Sequence, residues 1–302
     1  MKKIVVCMLM VCLLSLNLVF PVSANETLVI ELDAGHGGED AGAAAEWFGE
    51  QIYEKDINLT IANYLKEELE TYENVKVKMT RTDDTFISLQ KRTEKAKEDQ
   101  ADVLISLHNN ASGEISDYDN GCTVLTAHGN ARPDLAQKGN ELASQILEEL
   151  SSVGLENQGI LQRTSETGNT YENGKLADYY HIVREGIEEG YIAIIIEHAF
   201  VDHGVDYKEY LRTDGALKRL ALADAKGIAR YYGLHKKGEQ PLEVRTNVKE
   251  KITCVGTADG KQNQISYQVF FPDEEQEMDK KQEEKQSLVD TIKSIFKKFF
   301  EF

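Results

Sequence analysis

The stretch "VIELDAGHGGEDAGA", residues 29–43, runs an apolar segment straight into a glycine-rich turn that carries one histidine, His36. The apolar part reads as a strand over 28–32, and glycines at 35, 37, 38 and 42 let the backbone close around whatever the turn holds. Outward from it, "VKVKMT" (75–80), "ADVLISL" (101–107), "CTVLTA" (122–127) and "YIAIIIE" (191–197) repeat the strand signature of clustered Val and Ile. Between them the period changes. Ile57, Ile61, Leu65 and Leu69 recur every four residues behind Asp56, which reads as an N-cap, and further helices fit 88–99, 133–152, about 178–189 and 214–232. Strands alternating with helices predict an α/β fold, a single domain over about 26–234 with a central twisted, mostly parallel or mixed sheet flanked by helices.

The ends of the 302-residue chain differ from this middle. Lys2 and Lys3 precede an apolar run from Ile4 to Phe20 and a small-residue pattern at Val22-Ser23-Ala24, so residues 1–24 read as a signal peptide and the product as secreted or wall-associated. An uncleaved membrane anchor is the competing reading, because the run approaches the ~18 apolar residues that spanning needs. Residues 235–241 read as a linker, 242–271 as a small β-containing C-terminal extension, and 272–302 as a charged spacer ending in an amphipathic helix. That helix, with Leu288, Ile292, Ile295, Phe296 and Phe299 on one face, either packs on the preceding strands or meets a membrane or protein partner.

Removing the signal leaves two cysteines, Cys122 and Cys254, enough for one bridge and too few for a disulfide framework. A formal charge of -18 argues against nucleic acid as a partner and favours bound cations.

Three ionisable residues share one placement: His36 follows the first strand, His108 ends the strand 101–107, and Glu197 ends the strand 191–196. The carboxyl ends of strands form the binding edge of open α/β sheets. Two imidazoles and one carboxylate are a usual ligand set for catalytic zinc. Glu197 and Glu54 both qualify as the carboxylate, and spacing does not choose between them.

The chain resembles the zinc-dependent N-acetylmuramoyl-L-alanine amidases of the amidase 3 family in five ordered segments: "LDAGHGGEDAGA", "EKDINLTIANYLKEEL", "VKMTRTDD", "KRTEKAKEDQADVLISLHNNA" and "IAIIIEHAFVDHGVDYKEYL". The resemblance implies one Zn2+ per chain held by His36, Glu54 and His108, with Glu197 as the catalytic carboxylate. It implies hydrolysis of the amide between N-acetylmuramic acid and L-alanine in peptidoglycan. Asn110, two positions after His108, matches a family asparagine and reads as site support or a loop cap. Arg81 and Arg92 match family positions and read as structural ion pairs. His198 should face away from Glu197, since neighbours along a strand point to opposite faces. His128, His203 and His235 read as surface or packing groups, and His181 as a substrate contact. Segment 156–178 reads as a polar loop that touches substrate. Two departures stand out: Ala34 where the family often has proline, and Ala199 where it commonly has glycine. Two other functions fit the same residues, a zinc peptidase acting on stem peptides and an inactive wall-binding or regulatory module.

Overall fold

A computed structural model of the chain describes residues 27–113, 120–245, 248–258 and 261–271. The N-terminal apolar run and the charged, amphipathic tail therefore lie outside the described residues. The chain order is β1 (Leu28–Ala34), β2 (Ala44–Trp47), β3 (Glu50–Tyr53), α1 (Glu54–Leu69), β4 (Val75–Met79), α2 (Leu89–Glu98), β5 (Val103–Asn110), β6 (Cys122–Thr126), α3 (Pro133–Ser152), β7 (Asn157–Arg163), α4 (His181–Glu189), β8 (Ile192–Phe200), α5 (Asp214–Tyr232), β9 (Val248–Ala258) and β10 (Lys261–Phe271). Two short helical turns, Gly204–Asp206 and Tyr207–Leu211, lie between β8 and α5.

Eight strands form one mixed sheet in the order β10-β9-β7-β6-β8-β5-β1-β4. Five of its seven neighbouring pairs are parallel, the exceptions being β6 with β8 and β9 with β10. The expected C-terminal extension is thus continuous with the sheet, because β9 pairs with β7 from Ile160↔Ile252 to Arg163↔Val255. Helices cover both faces, with α1, α3 and α5 packed on one and α2 and α4 on the other. Central strands are buried on both sides, which is why β1, β5 and β8 read as nearly unbroken apolar runs. Ile57, Ile61, Leu65 and Leu69 of α1 and Leu142, Ile146 and Leu150 of α3 supply the helical side of the core.

Three local expectations change. Asp56 is not an N-cap: α1 starts at Glu54, whose N–H donates to Ala43 O at 2.9 Å, while Lys55 N–H donates to Ala41 O at 3.2 Å. Those carbonyls satisfy donors that a cap side chain would otherwise take. Residues 157–163, read as loop, form β7; its polar Gln162 is buried and donates through Nε2 to Ala127 O at 2.9 Å. A separate hairpin, β2-β3, turns at Phe48 and Gly49, whose φ values of 56° and 82° are the left-handed geometry that two-residue hairpin turns need. No disulfide joins Cys122 and Cys254.

Candidate metal centre

β1, β5 and β8 run parallel and adjacent, so the segments that follow or end them meet at one edge. There the hairpin delivers Glu54 as the first residue of α1, beneath the turn that holds His36. One ligand atom each from His36, Glu54 and His108 lie within 4.8 Å of one another. His36 Nε2 is 3.1 Å from Glu54 Oε2, and His108 Nδ1 is 2.9 Å from Glu54 Oε1. The imidazole rings are 4.8 Å apart between centroids and nearly perpendicular, with an interplanar angle of 79°.

Space is cleared for these side chains by two glycines. A Cβ on Gly42, at φ +67°, would lie 2.5 Å from both Glu54 Oε2 and His36 Cδ2. A Cβ on Gly35 would lie 2.2 Å from His108 Cε1. His36 itself adopts φ 61°, a region costly for a residue with a Cβ. The turn is held there by cations: Arg81 donates to Ala34 O, Gly35 O and Lys55 O, and Arg92 donates to Ala34 O and His36 O. Arg92 also forms the expected ion pair, to Asp33 at 2.6 Å, with both side chains buried. Arg81, by contrast, spends its fork on carbonyls.

Two of the three side chains are oriented by further partners. His36 Nδ1 donates to Asp40 Oδ2 at 2.8 Å, which leaves Nε2 facing Glu54. Glu54 accepts from Ala43 N, Asn109 N and Asn58 Nδ2 at 2.8, 3.0 and 3.0 Å. Asn109 Nδ2 in turn donates to Asn58 Oδ1 at 2.8 Å. Partners of this kind fix the rotamers of ligating side chains. Asp40, Asn58 and Asn109 escaped the sequence reading. The signals for them were weak but present: Asp40 is four residues past His36, Asn58 is one helical turn past Glu54, and Asn109 is the other asparagine of "HNNA".

The charges agree with the geometry. Burial alone would raise Glu54, but the hydrogen bonds and charges of His108 and His36 hold it well below the usual carboxylate range. Burial opposes the imidazolium of His108, yet Glu54 wins and raises it to about 8. His36 is raised in the same way against its burial. The atoms that now share protons are two nitrogens and a carboxylate, a donor set that suits zinc once those protons leave.

Glu197 lies outside that cluster of three. It pairs with His108 across β5 and β8, so the two side chains share a face. Its Oε2 is buried and has no hydrogen-bond partner among the described residues, and burial pushes its carboxyl up to about 7, with Glu54 adding to the rise and His108 and His36 opposing it. His198 points the other way, as expected: it is fully buried, with Nε2 2.8 Å from Asp224 Oδ2 and Nδ1 donating to His108 O at 3.0 Å.

The remaining histidines and Asn110 take other places. Asn110 Oδ1 accepts from Ala111 N at 2.9 Å, a loop-capping contact. His181 begins α4, its Nδ1 accepting from Arg184 Nη2 at 3.0 Å and its Nε2 buried without a partner. His203 caps the helical turn after β8 by accepting from Asp206 N, and His235 pairs with Glu73. His128 is half-buried, its N–H donating to Asp178.

Known proteins share this arrangement of chain. The family model of N-acetylmuramoyl-L-alanine amidases matches residues 30–230. The endolysin of Bacillus phage SPP1 is 31% identical over 209 residues, covering 69% of this chain and 68% of the endolysin. N-acetylmuramoyl-L-alanine amidase CwlM of Bacillus licheniformis is 30% identical over 209 residues, covering 68% of this chain and 70% of CwlM. A crystal structure of an N-acetylmuramoyl-L-alanine amidase from Clostridium difficile 630 superposes with a TM-score of 0.55 at 26% identity, covering 69% of this chain and 98% of that one. The match spans β1 through α5 and includes all four residues of the edge, and the chain belongs to the amidase 3 family of N-acetylmuramoyl-L-alanine amidases.

Proposed function

We propose that the protein is a zinc amidase that cleaves the amide between the lactyl group of N-acetylmuramic acid and L-alanine of the stem peptide in peptidoglycan. The observation that carries this reading is the convergence of His36, Glu54 and His108 within 4.8 Å, with Glu197 opposite His108 on the same sheet face. His36 through Nε2, His108 through Nδ1 and Glu54 through its carboxylate would hold the metal. Zinc bound there supplies two things, acidification of water and Lewis-acid polarisation of the amide carbonyl.

The rest of the chemistry belongs to the chain. Glu197 takes a proton from the attacking water and delivers it to the amide nitrogen as the C–N bond breaks, so one carboxyl serves as base and then as acid. Burial, which favours the protonated carboxyl, offsets the pull of nearby cations and keeps Glu197 able to both take and return a proton. Its buried, unpartnered oxygen leaves one atom available for that proton. Asp40, Asn58 and Asn109 keep the ligands from rotating while the proton moves. Export to the wall, read from residues 1–24, is part of the same proposal.

The test is digestion of purified peptidoglycan followed by mass analysis. Intact stem peptides with a free N-terminal alanine are expected, and shortened stems would overturn the reading in favour of a peptidase. Metal analysis of the same preparation should find about one zinc per chain, with hydrolysis lost on chelation and regained on adding zinc.

A further inference from the structure

We propose that Arg163, at the end of β7, forms a subsite for a carboxylate of the substrate's peptide on the amine side of the scissile bond. The inference rests on the amidase reading above and names the feature of the peptide that the site selects.

Strand register carries it. Glu197 pairs with Thr123 and Ile195 with Leu125; Leu125 pairs with Leu161, and Leu161 and Arg163 pair with Thr253 and Val255. Residues opposite one another share a face, and every second residue returns to it. His108, Glu197, Thr123, Leu161 and Arg163 therefore lie on a single face of the sheet, the one on which α4 packs through Gly186 against Ala193. Thr123, Leu161 and Arg163 are half-buried and form a floor that runs from Glu197 toward the amino end of β8.

Arg163 is the cation on that floor. Its guanidinium carbon sits 3.9 Å from the Tyr179 ring centroid, a stack that fixes the fork in plane. Glu166 takes Nη2 at 2.6 Å and Tyr180 also bonds the side chain, while Nε is buried, so a substrate carboxylate would meet the exposed part of the fork in exchange with Glu166. The neighbouring Tyr180 hydrogen-bonds Arg163 and lies within electrostatic reach of Glu197. Of the neighbouring arginines, Arg81 and Arg92 hold the His36 turn, and Arg184 of α4 donates to Asp178 O, Tyr179 O and His181 Nδ1. A net charge of -18 disfavours an anionic peptide at long range, so a stacked arginine on the peptide's path would bias which peptides bind.

The separation suits a peptide. Arg163 lies two strands across from Glu197, about 10 Å, and four residues along, about 13 Å, or roughly 16 Å between Cα atoms. Side-chain reach at both ends leaves a gap that two to four extended residues cover at about 3.4 Å each. A carboxylate a few residues past the scissile amide, on a side chain or at the C-terminus, meets Arg163.

The experiment uses a lactyl-linked peptide with its carboxylates free and the same compound with every carboxylate converted to carboxamide. Wild type should lose about tenfold or more in kcat/KM on the amidated substrate, mainly through KM, as expected for a charge-assisted contact. Arg163→Met should lose that preference, acting equally on both compounds, and Arg163→Lys should recover part of it. A purely structural arginine, holding the 164–180 segment through Tyr179, would lower both activities in proportion and leave the preference intact, which would overturn the proposal. So would a wild type indifferent to amidation, an arm that needs no variant to fold. Calorimetric binding of both compounds to the Glu197→Ala protein repeats the comparison without turnover. If wild type cleaves neither compound the amidase reading fails, and the binding arm still decides the subsite.

Discussion

At the open edge of the sheet, His36 and His108 approach the two oxygens of Glu54, while on the opposite face of β8 His198 approaches Asp224. The groups are the same and the surroundings differ. Both side chains of the His198–Asp224 pair are 0% exposed, whereas the edge histidines are 25% and 21% exposed and lie against glycines where a Cβ would collide. A buried pair closed on all sides can only be a strut, whereas the same pair with cleared space has room for an ion. Glu197 and His198 are consecutive, so the strand's alternation sends one to the site face and the other to the opposite face.

Glu197→Ala should break the comparison hardest. Hydrolysis should fall about a thousandfold, within the range for removing a general acid-base group, while zinc stays near one per chain. Loss of the metal together with activity would place Glu197 among the ligands and not beside them. His198→Phe addresses the other side of the strand. It leaves Asp224 buried without its partner, so stability should drop by about 3 kcal/mol or more in denaturant titration. Zinc content per folded chain should not change, and a variant that folds normally but loses zinc would erase the distinction between the two pairs.

The sharper division is between what those residues announce in the sequence and what they conceal. The strands carrying His36, His108 and Glu197 are legible because they are buried on both faces and read as runs of Val, Ile and Leu. β7 is not, because "NQGILQR" hides its polar groups inside: Gln162 is 2% exposed and satisfied by Ala127, Thr126 and Asn140, contacts made only after folding. The Asp56 cap misleads for a related reason, since the carbonyls that satisfy the first turn of α1 come from Ala41 and Ala43 across the hairpin. Among site residues, the choice of Glu54 over Glu197 as ligand was open from spacing and came from family resemblance. In the fold the hairpin sets Glu54 under the His36 turn, 3.1 Å from His36 and 2.9 Å from His108, and Glu197 lies outside that group. The supports Asp40, Asn58 and Asn109 act through contacts that no local pattern specifies.

Gly42→Ala sharpens the difference in cleared space. The new methyl group would meet Glu54 Oε2 and His36 Cδ2 at 2.5 Å on a backbone at φ +67°, so two ligands must shift. Zinc affinity should fall about 10- to 100-fold, the scale of losing a supporting contact, in competition with a chelator. Ala substitution at Gly215, where a Cβ meets nothing within 4 Å, should leave affinity unchanged and serves as the control.

The last contrast concerns a carboxylate that lacks what Glu54 has. Glu31, in the middle of β1 and 0% exposed, is met by no N–H donor among the described residues, only by the carboxyl of Asp99. Burial raises it from 4.5 to about 8, with Lys95 opposing and Asp99 assisting, whereas Glu54 with its row of donors is driven the opposite way. The sign follows from which state holds the proton. Between 4.5 and about 8 the folded chain keeps Glu31 protonated and the unfolded chain does not, so this residue's contribution is fully present below 4.5 and fades as pH rises to about 8. The slope is at most about 1.4 kcal/mol per pH unit, one proton's worth. Glu31→Gln keeps the shape and removes the titration, so the variant should gain on wild type steadily from pH 5 to 8 in denaturant midpoint. A constant offset between the two curves would mean that Glu31 is ionised in the fold and paired, as Glu54 is, which would remove the contrast between the two carboxylates.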